Sequence, residues 1–197
     1  MRKALCLAVS ALALALALAG PAGAQTGQDQ GQMDPKAMEA LMMQLMTPGP
    51  AHKHLSDLAG KWTTTQTLYM EATPQTSTGE AEYEMALGGR YLVGRYKSTY
   101  MGQPFEGMSI DGYDNGKQQY FSIWLDSMGT GYYLAHGTAS PDGKTFKLSG
   151  TMVMGPMEIP SRSESVMVDK DTMQFTMWHS MGGQEMKAME MTYKRVK

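Results

Sequence analysis

Cysteine is almost absent from this chain. Among its 197 residues only Cys6 carries a thiol, and it lies close to the N-terminus. Disulfide frameworks need paired cysteines and most structural zinc sites need several, so the sequence excludes both kinds of scaffold. The fold must depend on a hydrophobic core instead, and a chain of this length is able to bury one.

Long apolar runs are also absent after the first 24 residues. Arg2 and Lys3 precede an apolar stretch over 4–19, and the small residues 22–24 follow it. This order is typical of a secretory signal peptide, so we expect residues 1–24 to be removed and the mature protein to be periplasmic or secreted. No later segment is apolar for long enough to span a bilayer as a helix, and we expect no stable membrane insertion.

An excess of positive charge is missing as well. The formal net charge is −2, and it becomes −4 without Arg2 and Lys3, since 15 basic residues then face 19 acidic ones. Nucleic-acid binders usually carry a basic surface, so this composition argues against non-specific binding of nucleic acid.

Catalytic motifs do not stand out. Ser127 and Ser161 lie in no nucleophile-elbow sequence, and the spacing of Asp126 and His136 does not define a triad. No pair of histidines has the helical spacing of a zinc site. We therefore assign no catalytic residue and no cofactor; the sequence favours a protein without enzymatic activity, and an enzyme on this barrel stays open as an alternative.

Methionine is the abundant hydrophobic residue. The chain has 21 methionines, and the 20 that follow the predicted signal peptide outnumber the 18 leucine, isoleucine and valine residues of the same segment. Methionine side chains are flexible and polarizable, so they fill irregular interiors and accept varied partners. Thioethers also bind Cu(I) and react with oxidants.

The region before the main domain contains a predicted linker and helices. Residues 25–33 are rich in glutamine and glycine, which predicts a disordered linker, and 34–59 form a predicted helical segment. Its first helix begins at Asp34 and Pro35 and carries a stripe of apolar residues at helical spacing: Met38, Leu41, Met42, Leu45 and Met46. A second short helix over 52–59 directs Leu55 and Leu58 toward a core. We expect the first helix to act as a lid or plug.

Residues 60–197 form a predicted β-barrel domain, because the hydrophobic period there falls to two. The predicted strands are 61–71, 78–87, 90–100, 105–113, 118–126, 131–139, 144–152, 162–168, 172–179 and 185–195. Short turns such as Gly88-Gly89 and Asp114-Asn115-Gly116 join them, so neighbouring strands pair antiparallel. Closing this meander removes its two edges, and we predict an all-β, up-and-down antiparallel barrel of about ten strands.

One hairpin can be aligned from its turn. If Asp126 faces Gly131, then Trp124 pairs with Tyr133 and Phe121 pairs with His136. One face of this hairpin then carries Phe121, Ile123, Leu125, Tyr132, Leu134 and His136, and the other carries Trp124, Asp126 and Tyr133.

Gly60-Lys61-Trp62 opens the first predicted strand. It resembles the Gly-x-Trp motif of lipocalins and related calycins, in which a basic residue of the last strand covers the tryptophan. Arg195 is the matching residue, so the resemblance implies that Trp62 and Arg195 have a structural role in closing the barrel. A cation over an indole ring stabilises a fold by about 0.5–2 kcal/mol.

Seven segments resemble a bacterial family of unknown function, the domain-of-unknown-function family numbered 1579. They are residues 49–54, 58–62, 87–92, 105–107, 112–115, 124–131 and 193–195. The resemblance extends from Gly49 to Arg195 and implies a calycin-like barrel without a settled activity.

The predicted ligand site consists of polar and aromatic residues near strand ends, because such groups orient a ligand while apolar walls bind it. The set is Arg90, Glu106, Tyr113, Trp124, Asp126, Tyr132 and His136. Structural roles suit several of them too, since Arg90 can pair with Glu106 or Asp126, and Tyr113 can shape a turn.

We interpret the chain as an exported barrel that binds a small apolar or amphipathic molecule in a cavity lined by methionines and rings. The alternative is a periplasmic methionine-rich protein that binds copper or buffers oxidants. Its metal site would be Met177, His179 and Met181, which share one strand face, although the same residues suit ordinary packing. Haem held by His136 or His179 is a further alternative.

Overall fold

The structure is a computed structural model that describes residues 33–69 and 73–197. The predicted signal peptide and residues 25–32 of the predicted linker lie outside the described residues. The described residues form two helices and ten strands: α1 Pro35–Met46, α2 Pro50–Ser56, β1 Gly60–Leu68, β2 Gln75–Ala86, β3 Tyr91–Tyr100, β4 Gln103–Asp114, β5 Gln119–Asp126, β6 Tyr133–Ala139, β7 Thr145–Met154, β8 Met157–Asp169, β9 Thr172–Met181 and β10 Gln184–Arg195. In this part of the chain neither helix has the length and apolar character needed to cross a membrane.

The ten strands close into one antiparallel barrel. Each strand pairs with its neighbours in sequence, and β1 also pairs with β10, from Trp62 opposite Arg195 to Leu68 opposite Met189. The predicted all-β, up-and-down barrel with short N-terminal helices is therefore confirmed.

Strand β8 begins five residues earlier than predicted, at Met157 instead of 162. It continues through Pro160, which lacks a backbone N–H and usually interrupts a sheet. Pairing between β8 and β9 starts only at Ser161, so residues 157–160 pair with β7 alone. Pro160 therefore lies where the strand has one neighbour, and its missing donor breaks no ladder with β9.

Side chains alternate between the inside and the outside of the barrel. In β1, Trp62 and Thr64 are buried, whereas Lys61, Thr63 and Thr65 are exposed. Residues that pair directly across two strands share a face, so the register extends this assignment around the sheet. Trp124 pairs with Tyr133 and Phe121 with His136, which confirms the predicted register of the β5–β6 hairpin.

Helix α2 closes one end of the barrel, which we call the closed end. Leu55 of α2 is buried and packs in a cluster with Leu92, Tyr120 and Phe146. At the start of the helix, the Gly49 N–H donates to Nδ1 of His52 at 3.1 Å. Burial lowers the pKa of His52, so its imidazole favours the neutral form that accepts this bond. The opposite end, where the β7–β8 and β9–β10 hairpins turn, is called the mouth.

Trp62 and Arg195 lie together where the first and last strands meet. The Arg195 guanidinium carbon is 4.1 Å from the centre of the Trp62 ring, and Trp62 Nε1 donates to the Leu58 carbonyl at 3.0 Å. Arg195 also donates to the carbonyl oxygens of Asp57, Ala59 and Lys170. Gly60 has φ +129°, and a Cβ there would lie 2.7 Å from Arg195 Nη1, so the glycine of the motif makes room for the arginine.

Helix α1 is neither a lid nor a plug, which corrects the expectation from its apolar stripe. None of its residues is buried, and Leu41 and Met42 keep 36% and 47% of their surface exposed. It is attached at its C-terminal end instead. The Asn115 side-chain amide donates to the carbonyls of Gln44, Leu45 and Thr47, and Arg90 Nη2 donates to the Met46 carbonyl at 2.7 Å. These donors satisfy carbonyls that a helix end leaves free.

We predict that Asn115→Ala releases α1 from the barrel. The variant loses three side-chain hydrogen bonds to the end of α1, and we expect the amides of 39–46 to exchange with solvent about five- to tenfold faster, the equivalent of roughly 1 kcal/mol. Hydrogen exchange followed by mass spectrometry measures this. Lys117→Ala, in the same turn, is the matched control and should leave exchange unchanged; equal protection of α1 in both variants would show that Asn115 does not hold the helix.

The methionines are divided between the interior and the surface. Met173, Met177 and Met191 are buried, with at most 8% of their surface exposed. Many others are exposed: Met43, Met101 and Met128 lie on the surface, and Met154 and Met157 lie at the mouth. The expectation of an interior made of thioethers and rings is therefore only partly right, because inward positions also hold serine, alanine and glycine.

Candidate functional site in the barrel interior

The interior has one wall of large side chains and one of small side chains. Tyr83, Tyr96 and Tyr193 belong to or pack against a core cluster with Trp62. Opposite them, one register row runs through five consecutive strand pairs from β4 to β9: Asp111, Ser122, Ala135, Gly150, Ser161 and His179. Four of these six residues have side chains no larger than serine, so this wall carries little side-chain volume.

Asp111 is a carboxylate inside the barrel. Ser109 Oγ donates to its Oδ2 at 2.7 Å, and Ser122 also donates to it. Desolvation by burial raises the pKa of Asp111, while the two hydroxyls act in the opposite direction. The side chain points inward and is nevertheless half-buried.

Two tyrosines face Asp111 from the large wall. The ring centres of Tyr83 and Tyr193 are 6.4 Å apart, their hydroxyls are hydrogen-bonded, and burial raises the pKa of both phenols. The Tyr83 ring lies over Gly94, where a Cβ would be 2.5 Å from Tyr83 Cε1. Glycine at this position thus allows the ring to lie flat against β3 and keeps the phenol near the carboxylate.

Strand β1 adds two polar side chains to the interior. Within the described residues, Thr64 Oγ1 is the buried side-chain polar atom without a hydrogen-bond partner. Two positions along, Gln66 Oε1 accepts from the Tyr96 hydroxyl at 3.1 Å, and this leaves the Gln66 amide nitrogen without a bond in the described part of the chain. A buried hydroxyl without a partner costs free energy, which a bound molecule or water would recover.

The mouth is lined by thioethers on one side and rings on the other. The inward methionines at the mouth end of β7 to β10 are Met152, Met154, Met157, Met181 and Met186. On the other side Trp124 lies over Gly107, and its Nε1 donates to Asp126 Oδ2 at 2.9 Å. Asp126 Oδ1 also accepts the Met128 N–H, so this carboxylate orients the indole and shapes the turn.

His179 lies near the mouth in a defined tautomer. Ser161 Oγ donates its single hydrogen to the Ile159 carbonyl at 3.0 Å and lies 2.8 Å from His179 Nδ1. We therefore assign Nδ1 as the donor to Oγ, which leaves the lone pair on Nε2. Burial lowers the pKa of His179 and favours this neutral form. The described residues provide no hydrogen-bond partner for Nε2.

Two open clefts, of about 320 and 480 Å³, lie outside the barrel at the junction of α1, α2 and β4. Arg90, His52 and Tyr113 line the first of them, but their polar groups are already engaged. Arg90 donates to the carbonyls of Leu87 and Met46, and Tyr113 donates to Gln118 at 3.2 Å. The clefts mark the attachment of α1, and the interior is the better candidate site.

The family is shown by a direct comparison. The family model described as "Protein of unknown function (DUF1579)" matches residues 47–195. The chain belongs to this family. The resemblance noted from seven sequence segments is thereby confirmed, and no curated protein matches the chain.

Among solved structures, the DUF1579 chain is similar to an S-type phycobiliprotein lyase, CPES, from Guillardia theta. The TM-score is 0.54 at 10% sequence identity, and the match covers 74% of this chain and 92% of that chain. At this identity the likeness concerns the fold alone, and it supports the calycin-like description of the barrel.

The seven residues of the predicted ligand site do not form one group in the DUF1579 barrel. Arg90 and Tyr113 lie at the attachment of α1, and Trp124 and Asp126 lie inside the mouth. Three members lie apart from the lumen: Glu106, paired with Lys97 on the outer face at 3.4 Å, Tyr132, 69% exposed, and His136, outward opposite Phe121. A common ligand site for all seven is therefore wrong in geometry, because the set mixes both faces of the sheet.

The predicted copper residues do share a face. Met177, His179 and Met181 alternate along β9 and all point inward. No group of three or more His, Cys, Asp or Glu side chains in the described residues is arranged to hold a metal ion.

Sequence reasoning missed the centre of the lumen. Asp111, Ser109, Tyr83, Tyr193 and Thr64 were absent from the predicted site. A signal existed in β4, where Asp111 occupies the same alternating face as Phe105, Ser109 and Tyr113. A carboxylate in phase with aromatic residues indicates a buried polar position, which is uncommon without a partner or a function.

Proposed function

We propose that the protein is an exported barrel that binds one small amphipathic molecule in its lumen. The observation that carries the proposal is Asp111, an inward carboxylate held by Ser109 and Ser122 and desolvated by burial. Few folds keep such a group buried without use, because its desolvation lowers stability. Export rests on the signal-peptide pattern of residues 1–24.

The polar part of the ligand is proposed to lie at the centre of the barrel. Asp111, the phenol of Tyr83 and the unpartnered hydroxyl of Thr64 supply acceptors and donors there. The apolar part would extend to the mouth between the Trp124 ring and the inward methionines. Flexible thioethers adapt to irregular ligands, which suits a binding surface better than a rigid core.

Catalysis is not part of this proposal, although the structural neighbour is named a lyase. The serine and histidine that lie together, Ser161 and His179, are oriented unlike a nucleophile and its base. Ser161 Oγ receives a hydrogen from Nδ1 and gives its own to the Ile159 carbonyl. A base must accept the serine hydrogen instead, so this pair does not activate the hydroxyl.

Native mass spectrometry tests the proposal. Protein refolded from denaturant, and so free of carried ligand, is mixed with a whole-cell lipid extract, and we expect a complex with one molecule per chain. Trp124→Leu removes a ring from the lumen and should weaken retention at least about fivefold, since aromatic contacts are worth about 0.5–1.5 kcal/mol beyond the area they bury.

Trp178→Leu is the matched control, because Trp178 lies on the outer face of β9 under Arg162, 3.7 Å from the ring centre. It should bind as the wild type does. The proposal fails if the wild type retains no molecule, or if the two tryptophan variants lose the molecule equally.

A further inference from the structure

The imidazole of His179 is prepared to bind something in the mouth. It is 5% exposed, and Nδ1 is committed to Ser161 at 2.8 Å, with the direction of that bond set by the Ile159 carbonyl. Nε2 therefore presents a lone pair that no described residue uses. A histidine that donates through one nitrogen while the other is free has the arrangement seen in metal ligands.

Three methionines are neighbours of His179 in the strand register. Met186 lies directly opposite His179 on β10, a distance of about 5 Å between Cβ atoms. Met177 and Met181 lie two residues before and after His179 on the same face of β9, at about 7 Å. Methionine side chains are long enough to bring sulfur atoms together across these spacings.

The three methionines differ in how far their side chains are exposed to solvent. Met181 and Met186 keep 48% and 47% of their surface exposed, so an ion entering from solvent meets them first. Met177 is 8% exposed and belongs to neither hydrophobic core cluster. Two of the four donors, Met181 and Met186, are therefore open to solvent at the mouth, and the other two, Met177 and His179, are buried beneath them.

We propose that the mouth holds a site for a soft monovalent cation, Cu(I), formed by Nε2 of His179 and the thioethers of Met177, Met181 and Met186. Thioethers and imidazole select Cu(I), whereas calcium and magnesium need oxygen donors. Ser161 is the positioning residue, because its hydroxyl fixes the tautomer. The site goes beyond ligand binding at Asp111, which lies on β4, five strands away from β9 in the barrel.

Titration with Cu(I) held by bicinchoninate tests the site. We expect the refolded full chain to remove one equivalent of Cu(I) from the competitor. Met181→Leu with Met186→Leu should abolish this uptake, and both side chains are half-exposed, so the fold should survive. The matched control is Met101→Leu with Met128→Leu, two exposed methionines in other hairpins, which should take up Cu(I) as the wild type does.

The histidine is tested separately. The His179→Gln variant should take up no Cu(I) from the competitor. The His136→Gln variant, which changes the outer face, should take up Cu(I) as the wild type does. Ser161→Ala should weaken binding about tenfold or more, as loss of a supporting hydrogen bond to a metal-ligating histidine typically does. ¹⁵N spectra of His179 should show Nε2 without a proton in the apo protein and shift at Nε2 when Ag(I) is added.

The proposal is overturned by any of three results. These are a wild type that takes no Cu(I) from the competitor, a Met101→Leu/Met128→Leu variant that loses as much uptake as the Met181→Leu/Met186→Leu variant, and an Nε2 resonance that does not change with the metal. The lipid-extract experiment is independent of all three, so failure here leaves the proposed lumen ligand untouched.

Discussion

Replacing Trp62 with alanine is expected to lower the free energy of unfolding by about 3–5 kcal/mol, because the indole fills the junction of three elements. Its surface is 1% exposed, its Nε1 donates to Leu58 after α2, and its ring contacts Tyr193 edge-on at 6.4 Å. Urea unfolding of the wild type and variant, with equal dependence on denaturant, measures the difference.

Arg195→Met separates the packing of Trp62 from the charge above it. The substitution keeps an apolar stem over the ring and removes the donors that serve the carbonyls of Asp57, Ala59 and Lys170. Carbonyls left without partners near a buried ring cost stability, and we expect a loss of about 1–3 kcal/mol. This arginine therefore joins the last strand to the end of α2 and to the β8–β9 turn.

Trp178→Ala is the control that shows how much stability is lost when a tryptophan away from the barrel junction is removed. Trp178 lies on the outer face beneath Arg162, and we expect its replacement to cost about 1 kcal/mol or less. If Trp62→Ala destabilises the protein no more than Trp178→Ala, the Gly60-x-Trp62 junction is not what closes the barrel.

The strands were predictable because their signal is local. Inward and outward side chains alternate at period two, and glycine-rich turns limit the loop lengths, so Trp124 could be paired with Tyr133 from the sequence alone. The same pattern predicted closure of the barrel. A meander without a crossover helix leaves its first and last strands as free edges, and these two strands can pair with each other.

The position of α1 was not predictable from its pattern. The stripe of Leu41, Met42 and Leu45 shows that the helix is amphipathic, but not which surface the stripe faces. Asn115 and Arg90 decide its attachment, through hydrogen bonds between residues 44 to 71 positions apart. Such contacts depend on the closed barrel, which local periodicity does not describe.

The site was predicted only in part for a related reason. Alternation places Trp124 and Asp126 on one face of their hairpin, whereas Glu106 and His136 belong to the predicted set by chemical type alone and lie on the outer face. Asp111 was overlooked because burial, not residue type, makes it unusual. A site chosen by alternation first and chemistry second would have retained Asp111 and omitted Glu106.

Replacing Asp111 with asparagine is expected to raise the free energy of unfolding at pH 7 by about 1–2 kcal/mol while weakening ligand retention about tenfold or more. Asparagine keeps the shape and still accepts from Ser109 and Ser122, but it cannot carry charge. The same change therefore removes the cost of burying a carboxylate and the group proposed to bind the ligand.

The direction in which Asp111 makes the free energy of unfolding depend on pH follows from its pKa. Burial raises the pKa of Asp111 above its ordinary value of 3.8 in the folded chain, so the folded state binds the proton more tightly than the unfolded state. Its contribution to stability is complete below pH 3.8 and is lost as the pH rises through the folded-state value. The stability difference between Asp111→Asn and the wild type should thus be near zero in acid and grow toward neutrality.

Glu106→Gln provides the control on the same strand. Glu106 faces outward and pairs with Lys97 at an exposed position, so both stability and ligand retention should stay within about 0.5 kcal/mol of the wild type.

A less stable Asp111→Asn at pH 7 would mean that the carboxylate is a structural requirement of the barrel. A more stable variant that retains the ligand fully would place that ligand elsewhere in the lumen. We expect Asp111→Asn to be more stable than the wild type and to bind the ligand less well. Both changes together would show that the carboxylate serves binding, because its burial lowers stability.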